Sequence, residues 1–192
     1  MTAGALIRLA RPDDGAALAA IYAPAVVGRA TSFETEAPDG DEMAARVARV
    51  LARTPWLVLA LDGAVAGYAY ASPHRDRAAY QWSVEVSAYV ADTAQRRGAA
   101  RALYAALFDL LARQGFRNAY AGITLPNDAS VGLHVAVGFA PVGVYRGVGY
   151  KCGAWHDVAW YARALAPHDD APAPPLALAA LLADPAGAAD VD

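Results

Sequence analysis

Residues 84–90, Val-Glu-Val-Ser-Ala-Tyr-Val, alternate apolar and polar or amphipathic side chains and are rich in β-formers. That is the pattern of a half-buried strand. Shortly afterwards the period changes: Leu103, Leu107, Leu110 and Leu111 recur at helical spacing, and Gly115 sits where a helix would stop. The join is Gln95-Arg96-Arg97-Gly98-Ala99-Ala100. A strand that turns into a helix through small residues exposes unpaired backbone N–H groups backed by the positive end of the helix dipole, which is an anion site. Gly98, Ala99 and Ala100 let a pyrophosphate approach the backbone, while Arg96, Arg97 and Arg101 add charge. A second reading of the same residues is that Gly98 and the alanines only permit close packing of helix on strand.

The remaining chain reads as alternating elements. Residues 7–10 form a short first strand, and Asp13 or Asp14 caps a helix over 16–23. A loop holding Thr31-Ser32-Phe33-Glu34-Thr35 leads to an amphipathic helix over 42–52. Residues 56–61 and 65–71 flank Asp62-Gly63 as a β-hairpin. A polar, basic loop over 72–77 precedes the strand described above, and 119–123 is a further strand. Pro126-Asn127-Asp128-Ala129-Ser130 opens a short helix through Val137, ended by Gly138, and two strands joined near Gly153 run on to Tyr161. The order β-α-α-β-β-β-α-β-α-β-β implies an α/β fold (α+β by some schemes) with a mixed central sheet and helices on both faces. From Ala166 the chain becomes Ala/Pro-rich and reads as a tail with at most one short helix over 176–182, which divides it into a domain over 1–165 and a tail over 166–192.

Composition narrows the function classes. A chain of 192 residues suits one domain with a self-sufficient core. A formal net charge of −3 argues against general nucleic-acid binding. The single cysteine, Cys152, excludes an internal disulfide framework and a cysteine-based metal site, and no metal is expected. No signal-like start and no apolar run of spanning length is present, so the expectation is a cytoplasmic protein with no membrane partner. The 57% hydrophobic content is inflated by alanine, which favours helix.

The turn over 95–100 resembles the acetyl-CoA motif of the GNAT superfamily of N-acetyltransferases. Five ordered stretches carry a narrower likeness: Ser32-Phe33-Glu34-Thr35-Glu36; Tyr70-Ala71-Ser72-Pro73 through Arg77-Ala78-Ala79-Tyr80; 85–101; Leu125-Pro126-Asn127-Asp128 through His134; and Gly149-Tyr150-Lys151 with Trp155-His156-Asp157-Val158. Together they are similar to the phosphinothricin N-acetyltransferases and the related enzymes that acetylate methionine sulfone and methionine sulfoximine, over about residues 6–165. Three positions depart from the pattern. Ala100 stands where glycine is common, Cys152 where histidine is frequent, and His74 in a substrate loop that varies.

The resemblance implies the GNAT acyl-CoA N-acyltransferase fold and an acetyl-CoA-dependent transfer to the amine of a small amino acid. A polyamine or protein N-terminus as acceptor, or a non-catalytic acetyl-CoA-binding module, are the competing readings. A protonated amine must lose a proton before it attacks, and Glu85, on the polar face of its strand, is the candidate base. The resemblance puts His134 where many relatives carry a tyrosine as proton donor to the leaving thiolate. A histidine hydrogen-bonded in the core is the other reading of it. Ala88, Tyr89 and Val90 are implied to offer backbone groups to the cofactor, with the Val90 N–H near the thioester oxygen. The phosphates would lie on Arg96, Arg97, Gly98, Ala99, Ala100 and Arg101. Asn127 either bonds the pantetheine arm or caps the helix that follows. Arg75 and Arg77 are candidate clamps for the substrate carboxylate, because a guanidinium binds it in two-pronged fashion. Phe33 either walls the substrate pocket or is a core aromatic. Family likeness also implies a homodimer, with residues 151–158 as candidate contact.

Overall fold

The computed structural model describes residues 4–183. Among them one seven-stranded sheet runs in the order β1-β2-β3-β4-β5-β7-β6. Its strands are β1 (Ala5–Leu9), β2 (Trp56–Leu61), β3 (Ala64–Pro73), β4 (Ser83–Val90), β5 (Asn118–Thr124), β6 (Ala140–Lys151) and β7 (Ala154–Ala164), and the helices are α1 (Gly15–Val26), α2 (Gly40–Leu51), α3 (Ala99–Gln114), α4 (Asp128–Ala136) and α5 (Leu178–Leu182). All neighbouring strands pair antiparallel except β4 and β5, which are parallel. The sheet is therefore mixed, as the order of elements implies.

Strand periodicity divides the core between the two faces. Leu57, Leu59, Ala69, Ala71, Val84 and Val86 point one way and pack under the α3 residues Leu103, Tyr104, Leu107, Phe108, Leu110 and Leu111. The alternate residues Trp56, Val58 and Tyr68 point the other way, against Leu18, Tyr22 and Val26 of α1 and Met43 and Val47 of α2. A period of two in the strands thus meets a period of 3.6 in helices on both sides. No helix among the described residues is long and apolar enough to cross a membrane.

Boundaries shift for local reasons. Helix α1 runs beyond Ala23 through Pro24 to Val26, closed by the Val27 N–H on the Ala23 carbonyl at 2.8 Å. Helix α2 starts at Gly40 because the Asp39 carboxylate accepts from the Glu42 N–H at 2.9 Å, an N-cap that moves the start ahead of Glu42. The two-residue turns Asp62-Gly63 and Cys152-Gly153 both have positive φ at both residues, which suits the right-handed twist of the hairpins they close.

The Ala/Pro-rich segment returns across the domain. Trp82 Nε1 donates to the Ala173 carbonyl at 2.8 Å, and the buried Gln114 amide donates to the carbonyls of Arg53 and Leu176 at 2.7 and 2.8 Å. Leu178 and Leu181 of α5 are buried, Leu181 within the α3-side core. Leu181→Ala is expected to cost about 2–3 kcal/mol and to lower the thermal midpoint by roughly 5–10 °C in calorimetry. An unchanged midpoint would show that the α5 contact contributes nothing to stability.

Candidate active site

The site begins where two strands part. Parallel pairing of β4 with β5 covers only Ser83, Val84 and Glu85, opposite Asn118, Ala119 and Tyr120. Beyond Glu85, β4 continues to Val90 with β3 on one edge only, and β5 runs on to Thr124 against β7. The β4 edge facing β5 therefore presents backbone groups without a strand partner, which is where an extended ligand can add alongside. The resulting wedge is lined by Val86, Ser87, Ala88, Tyr89, Tyr104, Asn127 and His134, among others. A larger cavity of about 540 Å³ adjoins it through Ala88 and Tyr89, and extends past Val90 and Gln95 to the α1 residues Ala17, Ala20 and Ile21. That volume lies in the range of small-molecule sites.

Past the end of β4 the chain builds an anion cradle. Arg96 and Gly98 have φ of 59° and 82°, and α3 starts at Ala99 with Gly98 as its N-cap. The first bond into the helix runs from Ala102 N–H to the Gly98 carbonyl at 3.0 Å, so the N–H groups of Ala99, Ala100 and Arg101 have no intrahelical acceptor. A Cβ on Gly98 would meet nothing within 4 Å. Glycine here serves the left-handed turn beside open space, rather than a close packing of helix on strand. Arg96, Arg97 and Arg101 are all exposed around the turn. Gln95 braces it by donating from Nε2 to the Val90 carbonyl and to Asp92 Oδ1, at 3.2 and 2.8 Å.

At the apex of the wedge, Glu85 Oε1 accepts from His74 Nδ1 at 3.0 Å and from Arg75 Nη1 at 3.1 Å. Arg75 thus sits on the carboxylate, with its guanidinium over the Trp160 ring at 5.8 Å. Arg77 is exposed without a hydrogen bond or ion pair among the described residues, and lines a small hollow with Arg53, Thr54 and Phe116 that Arg75 also borders. The structure therefore brings Arg75 to Glu85 and leaves Arg77 apart from the wedge.

On the far wall, His134 is buried, and its Nδ1 donates to the Ser130 carbonyl at 2.8 Å. That leaves Nε2 to accept from the Tyr104 hydroxyl at 3.1 Å. Burial holds the imidazole below its ordinary value and pushes the Tyr104 phenol up. Both ring nitrogens are thus engaged, and the neutral ring is the favoured form. Asn127 caps α4, its Oδ1 accepting from the Ser130 N–H at 3.1 Å. Tyr89 packs edge-on against Tyr22 at 4.8 Å.

Phe33 is exposed, on a loop fixed from three sides. Tyr22 Oη bonds Ser32 Oγ at 2.7 Å and donates to Glu34 at 2.9 Å, and the Arg46 fork holds both Glu34 oxygens at 2.7 and 3.0 Å. That pairing keeps the Glu34 carboxyl below its ordinary value. Lys151 Nζ, from the end of β6, donates to the carbonyls of Val26 and Ser32 at 2.7 Å each. The Phe33 ring lies against Gly149, where a Cβ would collide with it. The sequence pointed to neither Tyr104 nor Lys151 as a site residue, and to His74 only as a departure within the substrate loop. For His74 and Lys151 a signal existed, because both stand in stretches that carry the family likeness.

A mixed sheet parted between parallel β4 and β5, with a helix N-terminus and three arginines after β4, suits an extended ligand that carries phosphate. A family model described as acetyltransferase (GNAT) domain matches residues 7–160. The chain belongs to the GNAT acetyltransferase family. It is 41% identical over 169 residues to a phosphinothricin N-acetyltransferase of Streptomyces viridochromogenes, covering 88% of this chain and 90% of that one. It is 36% identical over 153 residues to an L-methionine sulfoximine/L-methionine sulfone acetyltransferase of Salmonella typhimurium, covering 79% and 90%. A GNAT phosphinothricin acetyltransferase from Sinorhizobium meliloti, solved in complex with AcCoA, superposes with a TM-score of 0.81 at 32% identity, over 90% of this chain and 97% of that one.

Gly98→Asp places a negative charge in the open space of the cradle and strains a left-handed residue. Affinity for CoA, measured by calorimetry on the folded variant, should fall at least tenfold, about 1.4 kcal/mol. Undiminished affinity would remove the cradle as the phosphate site.

Proposed function

We propose that the protein transfers the acetyl group of acetyl-CoA to the amine of a small amino acid of the phosphinothricin or methionine sulfoximine/sulfone type. The observation that carries this reading is Glu85 standing at the apex of the wedge, where β4 loses its partner and the anion cradle follows at the other end of the same strand. The residues present fit acetyl-CoA. Free N–H groups and three exposed arginines suit its phosphates, and the unpartnered β4 edge over Ala88, Tyr89 and Val90 suits its amide-bearing arm. When bound, the cofactor supplies an activated acetyl thioester.

The chain's own groups supply the rest. Both donors to Glu85 use Oε1, and no described residue bonds Oε2, which is free to take the proton from the amine. The N–H of Val90 offers a donor for the developing oxyanion. His134, in the wall of the wedge with Tyr104 beside it, is the proposed proton donor to the leaving sulfur, once Nε2 has taken up a proton. Asn127 orients α4 through its cap. Arg75 binds the substrate carboxylate, with Arg77 in the neighbouring hollow that Arg75 also lines, and Phe33 walls the pocket around its methyl group. A cytoplasmic location fits the free, exposed Cys152.

The expected outcome of a thiol-release assay with acetyl-CoA is turnover with phosphinothricin, methionine sulfoximine or methionine sulfone, and none with a polyamine. Activity on a polyamine or a peptide N-terminus alone would overturn the substrate class. Glu85→Gln should lower kcat by about 10²–10⁴-fold with CoA affinity unchanged. Near-full turnover would move the base to His134 or to a bound water.

We also propose that the protein is a homodimer, with the second copy on the β6 side of the sheet. Support comes from β6 being the outermost strand and carrying Val142, Val144, Tyr145, Val148 and Tyr150 exposed, with Trp155 of β7 beside them. An edge strand this long and apolar is a liability in a lone chain and a natural two-fold contact. Light scattering at micromolar concentration should return twice the chain mass, and Tyr145→Glu should halve it. A monomeric wild-type mass would contradict the proposal.

A further inference from the structure

His74 follows β3 directly, and its imidazole is boxed by rings from three separate elements. It stacks on Tyr120 of β5 at 4.3 Å and 15°, and meets Tyr80 and Trp160 edge-on, each at 6.0 Å. The side chain is 13% exposed, against 45% for Arg75 and 32% for Glu85. From that box Nδ1 reaches Glu85 Oε1 at 3.0 Å. A carboxylate only accepts, so Nδ1 carries the hydrogen.

We propose that His74 is a positioning residue for the reaction: held in its aromatic box, it pins Oε1 of Glu85 so that Oε2 faces the amine. The inference rests on the reading of Glu85 as the base. Two donors share Oε1, but they differ in permanence. Arg75 is exposed, and its guanidinium is the group that an incoming carboxylate attracts. His74 cannot follow, because Tyr120, Tyr80 and Trp160 enclose it. Once Arg75 turns to the substrate, the imidazole N–H is the donor that remains on the carboxylate. Glu85 is also the last residue of β4 in register with β5, and its register partner is Tyr120, the residue on which His74 stacks. The strand junction, the box and the carboxylate therefore form one rigid unit. A glutamate freed from that unit samples several rotamers, of which few aim Oε2 at the amine.

The test is a double-mutant cycle read as kcat. His74→Phe keeps an aromatic ring in the box and removes the N–H. It should lower kcat roughly tenfold, with the KM for acetyl-CoA and the thermal midpoint unchanged. His74→Asn returns an N–H near the place of Nδ1 and should recover part of that loss. In a Glu85→Gln background, where there is no carboxylate to aim, His74→Phe should have no further effect. Losses that multiply independently in the two backgrounds, or an asparagine variant no better than phenylalanine, would overturn the proposal while leaving Glu85 as base. Full turnover by Glu85→Gln alone would instead remove the base reading, and this inference with it.

Discussion

The parting of β4 from β5 after Glu85 is the constraint on which the rest of the site depends. Two parallel strands that stayed in register to their ends would satisfy each other's backbone and leave no room for a ligand. Here only Ser83, Val84 and Glu85 meet β5, and the strand beyond them is held by β3 alone. An unpaired buried peptide group is costly, so such an edge persists only where the flanking structure forces it or a ligand completes it. The flanking structure does force it. Val84 and Val86 are anchored under α3, while Tyr89 is locked among Tyr22 and Tyr68 on the opposite face. β5 is drawn the other way by its seven-residue register with β7.

Electrostatics then grade the site along one strand. The chain as a whole is acidic, with a formal net charge of −3, yet Arg96, Arg97 and Arg101 gather at the end of β4 beside the free N–H groups of α3. At the other end the Glu85 carboxylate is already matched to His74 and Arg75. A polyanion is thereby favoured at the cradle end, which sets the direction in which a long ligand lies. A global charge count cannot reveal this, because it averages over the gradient.

The elements were legible in the sequence because they rest on local patterns. The leucines at 103, 107, 110 and 111 are all buried, and both turns read as hairpins have the backbone that Asp62-Gly63 and the Gly153 region imply. The turn that opens α3 was legible for the same reason, being one contiguous stretch. What stayed hidden is what long-range contacts create. Nothing near His74 announces a box built from Tyr80, Tyr120 and Trp160, and nothing near His134 announces a hydroxyl arriving from Tyr104 of another helix. The alanines and prolines of the last segment likewise conceal Leu178 and Leu181, whose burial depends on where the chain returns rather than on any period.

Strand β6 couples the outer edge of the sheet to the loop that carries Phe33. Its body is exposed and apolar, but Gly149 and Lys151 near its end are partly covered. Lys151 grips the carbonyls of Val26 and Ser32, and Gly149 leaves the space that the Phe33 ring fills. The loop carrying Phe33 is also held by the buried Tyr22–Ser32 bond and by the Arg46–Glu34 fork, a partly exposed pair whose contribution is modest. The end of β6 is therefore one of three supports of Phe33. Through Lys151 and Gly149 the outermost strand of the sheet is tied to the loop between α1 and α2, so a change in one is felt at the other.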